Sequence, residues 1–378
     1  QVTCTEKIFT LIKEKSTLKK ICFISGVISR SGGTERVGSI IANSLSDLGY
    51  DVTILSFWNS GEPYFGLDKT IKVDYMLNPK TEGKLYRTYL YPVWKLHKYI
   101  CKNEFDIVID IDTLLSLYTT RAIKGTKCKL ISWEHFNYWT MEMLKEKKRF
   151  KAKKLIKKYA KRLVVLTEED RQKHIDEYSL SEDFVITMPN PCISNIEYEY
   201  HYDKKRFLAV GRLVEEKNFA DMISAWKIVE KKVDDWDLII VGKGELEKDL
   251  RQQIKDLNLQ RVTIAGHSDH VEEYYKSASC YVLSSVYEGF PMVILEAQSY
   301  GLPVISYDCK TGPRDLVHHN FNGMLVEDKN IDQLAKSMIM FTKNTDLAMR
   351  MSLNAYNNVQ KFNLKEITKQ WVALIENV

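Results

Sequence analysis

The stretch Ser285–Glu296, SVYEGFPMVILE, follows the apolar run Cys280–Leu283 and leads into MVILEAQSYG. An apolar run, a short loop containing Gly289 and a helix opening on proline together describe a strand–loop–helix unit. Proline at the first helical position gives up an N–H that has no partner there, so a helix is expected to start at Pro291. The turn Gly289, Phe290, Pro291, Met292 and Val293 then lies at the positive end of the helix dipole, where a phosphate is favoured. Glu288 stands on one side of this anion seat. Glu296 stands on the other, about 7–8 Å along the axis at the standard helical rise. A carboxylate, a phosphate seat and a second carboxylate match sugar hydroxyls, a diphosphate and ribose hydroxyls in turn, which is the layout of a nucleotide-sugar.

Working outward, apolar runs recur on both sides of this element. Lys19–Gly26, Asp51–Phe57, Phe105–Asp112, Cys128–His135, Arg162–Thr167 and Phe184–Asn190 form a first series. Arg206–Arg212, Asp237–Glu245, Arg261–His267, Cys280–Ser285 and Pro303–Asp308 form a second. Runs that are apolar on both faces, separated by helical patterns such as Thr34–Leu48, are what parallel strands covered by helices require. The prolines of PNPCISN mark a linker between the series. The expected fold class is therefore α/β, with two Rossmann-like doubly wound parallel sheets facing across a cleft. The expected domains are residues 1–190, residues 191–360, and a C-terminal helix, 361–378, that returns to the first domain with Trp371 as its anchor.

At 378 residues, with 44% hydrophobic and 28% charged residues, the chain suits two globular α/β domains. No apolar run approaches the length of a membrane span. The N-terminus lacks Met and a signal-peptide core, and residues 1–18 read as an expression remnant plus a short surface helix. Seven cysteines without a C-x-x-C pair argue against a disulfide framework or a zinc site, and for a reducing, cytoplasmic setting. The net charge of +5 divides unevenly: residues 1–190 carry 32 Lys and Arg against 23 Asp and Glu. The first half is therefore the part expected to meet an anionic surface or acceptor.

Glu288 and Glu296, seven residues apart and followed by SYGLPVISYD, resemble the signature of glycosyltransferase family 4, retaining enzymes of GT-B fold. SGGTERV, EH, NP, GRL…KN, GKGE, EGFP…E and NG (Asn322–Gly323) occur in that family's order. The resemblance covers nearly the whole chain and is most specific over residues 206–330. It implies a metal-independent hexosyltransferase without a cofactor that takes a nucleotide-sugar, typically a UDP-sugar, as in bacterial enzymes that extend lipid-linked oligosaccharides. Arg212 and Lys217 are the expected cations for the departing diphosphate, a role two fixed charges can fill. The resemblance also implies that Gly32 and Gly33 line the donor phosphate, Gly242 and Gly266 the nucleotide, and His135 the transferred sugar. With Glu288, Arg212 and Lys217, His135 completes the expected catalytic set. Glu134 is read as a loop cap. The alternatives are a GT-B enzyme with a soluble protein or metabolite acceptor, and a non-catalytic partner subunit.

Two further segments bear on partners. Asp110-Ile-Asp112 has the form of a metal-binding DxD, but Asp112 precedes TLLSLYTTRA and reads as a helix N-cap. Lys145–Arg162 holds eleven basic residues and one acidic one. Phe150, Leu155, Ile156 and Tyr159 fall near one face of this amphipathic helix. Lys147, Lys148, Arg149, Lys151 and Lys154 are the expected contacts to an anionic membrane or a lipid-linked acceptor, giving a peripheral position on the inner membrane face. No aromatic platform supports nucleic-acid binding.

Overall fold

The structure is a computed structural model that describes residues 19–59, 61–78, 88–193 and 196–378; the helix expected within residues 1–18 lies outside them. The chain forms two compact units: the first runs to Asn190 and takes in Lys365–Val378, and the second is Pro191–Leu364. The last helix, Leu364–Glu376, thus belongs with the first unit. The second unit ends four residues later than the sequence places it.

The first unit is built on β1 (Lys20–Ser25), β2 (Asp51–Trp58), β3 (Lys72–Leu77), β4 (Ile107–Asp110), β5 (Lys129–Trp133), β6 (Arg162–Val165) and β7 (Val185–Thr187). Their order across the sheet is β3-β2-β1-β4-β5-β6-β7, and every described pairing is parallel. Parallel neighbours need a crossover, so helices cover both faces and the strands are buried. Residues 21–25 of β1 and all of β4 are buried. The edge strands β3 and β7 are the exceptions: only the last two residues of β3 and the first of β7 are buried, and no apolar run marks β3 in the sequence.

The C-terminal helix packs its indole against this sheet. The rings of Trp371 and Trp133, both fully buried, meet edge to face with centroids 4.6 Å apart. Tyr50 donates to Glu376 Oε1 at 2.9 Å, and Lys19 donates to the Ile375 carbonyl at 2.5 Å.

The second unit is built on β8 (Arg206–Val210), β9 (Asp237–Val241), β10 (Val262–Gly266), β11 (Cys280–Leu283), β12 (Val304–Tyr307) and β13 (Gly323–Val326). The order is β10-β9-β8-β11-β12-β13, again parallel in every described pairing. One face packs into a core with Phe207, Trp226, Trp236 and Phe341 at its centre. In each sheet the direction of winding reverses at one place, between β1 and β4 and between β8 and β11. Doubly wound sheets bind ligands beyond the carboxyl ends of the strands at that reversal.

Truncating a buried Trp costs about 3–5 kcal/mol through lost burial and the cavity left behind. Trp371→Ala is therefore expected to lower the denaturant midpoint of the first unit clearly, with Trp371→Phe falling in between. Unchanged midpoints in both variants would contradict the anchoring role.

Candidate active site

In the second unit the loops after β8 and β11 come together. After β8 the backbone turns through Gly211–Val214 into a short 3-10 turn, Glu215–Lys217. Asn218 then adopts a left-handed conformation, φ 48°, and the helix Phe219–Glu230 begins. Val286 N donates to the Glu216 carbonyl at 2.9 Å, and Ser284 Oγ to the Lys217 carbonyl at 2.9 Å. These bonds bring Lys217 Nζ to 2.6 Å from Glu288 Oε1, an oxygen that also accepts from Ser285 Oγ at 2.7 Å. The Glu288 carboxylate is largely buried and the Lys217 side chain is mostly so. An ion pair in this partly dehydrated setting is stronger than a surface pair and holds both groups in one geometry.

Arg212 lies in the same loop but is mostly exposed, and its guanidinium donates to Glu216. Tyr287 sits within electrostatic reach of Glu216, Lys217, Arg212 and Glu288 alike. Of the two expected cations, the structure therefore joins Lys217 to Glu288 and leaves Arg212 on a neighbouring carboxylate.

The helix after Glu288 is Met292–Ser299, with no side-chain cap. Pro291 is its N-cap, with extended backbone, and not its first helical residue as the sequence led us to expect. The reason is packing. Gly312, at φ 88°, passes so close that a Cβ there would lie 2.5 Å from Pro291 Cδ. Thr311 Oγ1 donates to the Glu288 carbonyl at 2.7 Å, fixing the same turn from the other side. Phe290 turns inward to meet Phe362, centroids 5.8 Å apart, so only its backbone can serve a ligand. Gly289, Met292 and Val293 are partly exposed along the turn. Glu296, fifth in the helix, accepts from the Tyr275 hydroxyl at 3.0 Å, and Tyr275 stacks on Tyr300.

Glycines close the neighbouring strand ends. Gly242 N donates to the Gly266 carbonyl at 2.7 Å, and Gly242, at φ 155°, passes so near Gly211 that a Cβ would lie 1.8 Å from its carbonyl oxygen. A side chain cannot be fitted there without moving the strand ends. Ser285, Thr311 and Tyr275 were missed from the sequence as site residues, because their partners are fixed only by the turn geometry. The glycine of CKTGPRDLV was the one available signal for the Thr311–Gly312 contact.

In the first unit, Gly32 is the N-cap of the helix Gly33–Asp47 with extended backbone, and a Cβ at Gly33 would meet nothing within 4 Å. His135 follows β5. Its ring lies 4.6 Å from Trp133, itself backed by Trp371, and its buried Nε2 has no hydrogen-bond partner among the described residues. Burial lowers the imidazole pKa to about 4, against the opposing pull of Asp112 and Glu134, so the ring is neutral.

Glu134 is more than the loop cap expected of it. It does accept from Phe136 N at 2.8 Å. It is also fully buried between Lys153 Nζ, which donates to Oε2, and Arg149 Nη1, 3.2 Å from Oε1. Thr113 Oγ1 donates to Oε2 at 2.6 Å. Burial alone would raise the Glu134 pKa; Lys153, Arg149 and the hydrogen bonds hold it well below the carboxylate range, at about 2.

Asp112 pairs in a fork with Arg149, at 2.8 and 3.0 Å, and accepts from Leu114 N. The helix after it starts only at Ser116, so Asp112 caps a turn and not that helix. Asp110 accepts from Ser116 and Thr119, both at 2.7 Å. Arg149 is thus drawn inward, which corrects its assignment to a membrane-facing surface, whereas Lys147, Lys148, Lys151 and Lys154 are exposed. Among the described residues no group of three His, Cys, Asp or Glu is arranged to hold a metal.

Residues 31–192 match the family model "Glycosyltransferase Family 4" and residues 197–358 the model "Glycosyl transferases group 1". The two parallel sheets and the lysine–glutamate pair at the second switch point define a GT-B glycosyltransferase, and the chain belongs to that family. It is 30% identical to the amylovoran biosynthesis glycosyltransferase AmsD of Erwinia amylovora, over 93% of this chain and 98% of that one. It is 25% identical, over 96% of this chain and 99% of that one, to a Campylobacter jejuni enzyme. That enzyme is named as an alpha-1,4-N-acetyl-D-galactosaminyltransferase acting on a GalNAc-containing diNAcBac-PP-undecaprenol. Among solved structures, the Anabaena protein HepE in complex with UDP-glucose superimposes with a TM-score of 0.78 at 19% identity, covering 95% of this chain and all of that one.

Two measurements probe the first unit. Glu134→Gln leaves Lys153 buried without a counter-charge and is expected to cost about 3–5 kcal/mol of stability. The His135 proton is bound in the unfolded chain below its ordinary pKa and in the folded one only below about 4. His135 therefore adds nothing to the pH dependence above about pH 6.5 and lowers stability as the pH falls from there toward 4. Nitrogen NMR of labelled histidine should show this ring neutral at pH 6, where an exposed histidine is largely protonated.

Proposed function

We propose that the protein is a retaining hexosyltransferase that moves a sugar from a UDP-sugar to a lipid-linked or glycan acceptor in cell-surface glycan assembly. The observation that carries this reading is the Lys217–Glu288 pair at the strand-order reversal of the second sheet, with Glu296 in the helix that follows. The names of the Erwinia and Campylobacter relatives support the setting, and the UDP-glucose in the Anabaena structure supports the donor class.

In this reading the helix N-terminus at Met292 and the cations Lys217 and Arg212 take the diphosphate. Negative charge grows on the diphosphate as the anomeric C–O bond breaks, and fixed cations nearby are worth most at that moment. They supply this without a divalent ion, so transfer should persist in EDTA. Glu288 already holds Lys217 in place before the donor arrives. Its carboxylate meets sugar hydroxyls and steadies the positive charge developing at the anomeric carbon. Glu296 meets the ribose hydroxyls. The acceptor oxygen bonds to the anomeric carbon on the face the diphosphate leaves, and the acceptor proton passes to a departing phosphate oxygen. The neutral His135 ring is assigned to contact with the transferred sugar. The acceptor's lipid carrier places the protein at the inner membrane surface as a peripheral protein.

A group that acts on the developing charge lowers kcat when removed, whereas one that binds the donor throughout raises KM. Glu288→Gln is expected to lower kcat by about 10²–10³ with little change in KM, and Glu296→Ala to raise donor KM chiefly. The decisive measurement is proton NMR of the new linkage. A retained anomeric configuration is the expected result; an inverted one would overturn the roles given to both glutamates.

A further inference from the structure

The two glutamates of the candidate site are held by unlike partners. Glu288 rests on an ammonium, Lys217 Nζ, and on the Ser285 hydroxyl. Glu296 takes a hydrogen bond from a phenol, Tyr275, whose hydroxyl lies 3.0 Å from Oε2. A hydrogen bond to a carboxylate is a strong one, and a neutral donor leaves the negative charge in place. Tyr275 therefore holds Glu296 without neutralising it.

The surroundings of Tyr275 suit it to that task. It lies in the short helix Val271–Lys276, after β10, and is 3% exposed. Its ring stacks on Tyr300, with centroids 5.3 Å apart and planes 10° from parallel. Tyr300 caps the C-terminus of the helix Met292–Ser299, one turn beyond Glu296. Hydroxyl and ring thus grip the same helix one turn apart. The ring of Tyr281 lies 6.1 Å from that of Tyr275. Tyr281 is fully buried in β11, and its hydroxyl donates to the Val210 carbonyl at 3.1 Å, where β8 ends beside the reversal of the sheet. The backbone of the Glu296 helix has other supports. Ile294, Leu295 and Ala297 are buried, and Gln298 Nε2 donates to the Leu316 carbonyl at 2.8 Å. What Tyr275 adds is control of the Glu296 side chain.

We propose that Tyr275 is a positioning residue: it fixes the Glu296 carboxylate for the ribose diol and thereby makes the second unit select ribonucleoside over deoxyribonucleoside diphosphates. The proposal rests on the assignment of Glu296 to the ribose hydroxyls. A glutamate side chain is flexible, and freezing it on binding weakens the hold on a ligand; a carboxylate frozen beforehand avoids that loss. The same rigidity sharpens rejection. A carboxylate that cannot turn away is left without its partner when the analogue lacks a hydroxyl.

The test is calorimetric binding of UDP, 2′-deoxy-UDP and 3′-deoxy-UDP to the full chain, as wild type, Tyr275→Phe, Glu296→Ala and the double variant. Tyr275→Phe keeps the ring on Tyr300 and removes only the hydroxyl. The wild type is expected to bind UDP about ten- to a hundredfold more tightly than the weaker deoxy analogue. Tyr275→Phe should weaken UDP about three- to tenfold and leave that analogue within about twofold. On top of Glu296→Ala the same substitution should have no further effect, because it acts only through the carboxylate. In donor kinetics the loss should appear in KM and not in kcat. A tyrosine that merely fills space would weaken all the nucleotides alike; that result, or an undiminished loss on top of Glu296→Ala, overturns the proposal. Unchanged selectivity in Tyr275→Phe overturns it too, and leaves Glu296 on the ribose. A wild type that binds UDP and both analogues equally removes the ribose assignment as well, and one that binds none of them removes the donor class with it.

Discussion

Parallel pairing governs this molecule. Neighbouring parallel strands cannot be joined by a tight turn, so most connections cross the sheet as helices and both faces become buried. Two consequences shape the chemistry. The connections after the strands gather at one edge of each sheet, and the edge is deepest where the winding reverses. In the second unit the loop after β8 carries Lys217 and the loop after β11 carries Glu288, 71 residues apart in sequence and 2.6 Å apart in space. No local propensity brings them together; the strand order does.

The two units hold charge differently. In the second, Lys217 and Glu288 form a partly accessible pair whose partners a ligand can share. In the first, Glu134, Lys153 and Arg149 form a closed network, with Asp112 and Thr113 completing it. Burying such a network confers little net stability compared with an apolar core, yet breaking one member is expensive. Both cations come from the helix Lys147–Tyr159, which also buries Ala152 and Ile156.

Most of the architecture was legible in the sequence, because strands buried on both faces read as continuous apolar runs. The two strands that escaped, β3 and β13, each lie at a sheet edge, although the other edges, β7 and β10, were read as apolar runs. In β3, Lys72 and Asp74 interrupt the pattern because only Met76 and Leu77 reach the core. In β13 only Met324, Leu325 and Val326 follow Gly323 before Glu327, an apolar run too short to stand out. The candidate site divides in the same way. The placement of Lys217 and Glu288 in the loops after two strands, and of Glu296 in the helix that follows, was legible. The pairing of Glu288 with Lys217 and not with Arg212, the inward turn of Arg149 and the hold of Tyr275 on Glu296 were not. Each depends on side chains from distant segments meeting in three dimensions. A lysine-rich helix looks the same in sequence whether two of its cations face water or a buried glutamate.

The return of the last helix to the first unit has a consequence for the order in which the molecule is made. Trp133 lies between His135 and Trp371, so the backing of the His135 strand is supplied by residues near the end of the chain. During synthesis the second unit, Pro191–Leu364, is complete while Trp133 still lacks its cover. Of the two units, the one whose strands come earlier is completed later, and until Leu364–Glu376 has been made Trp133 lacks the cover that Trp371 gives it.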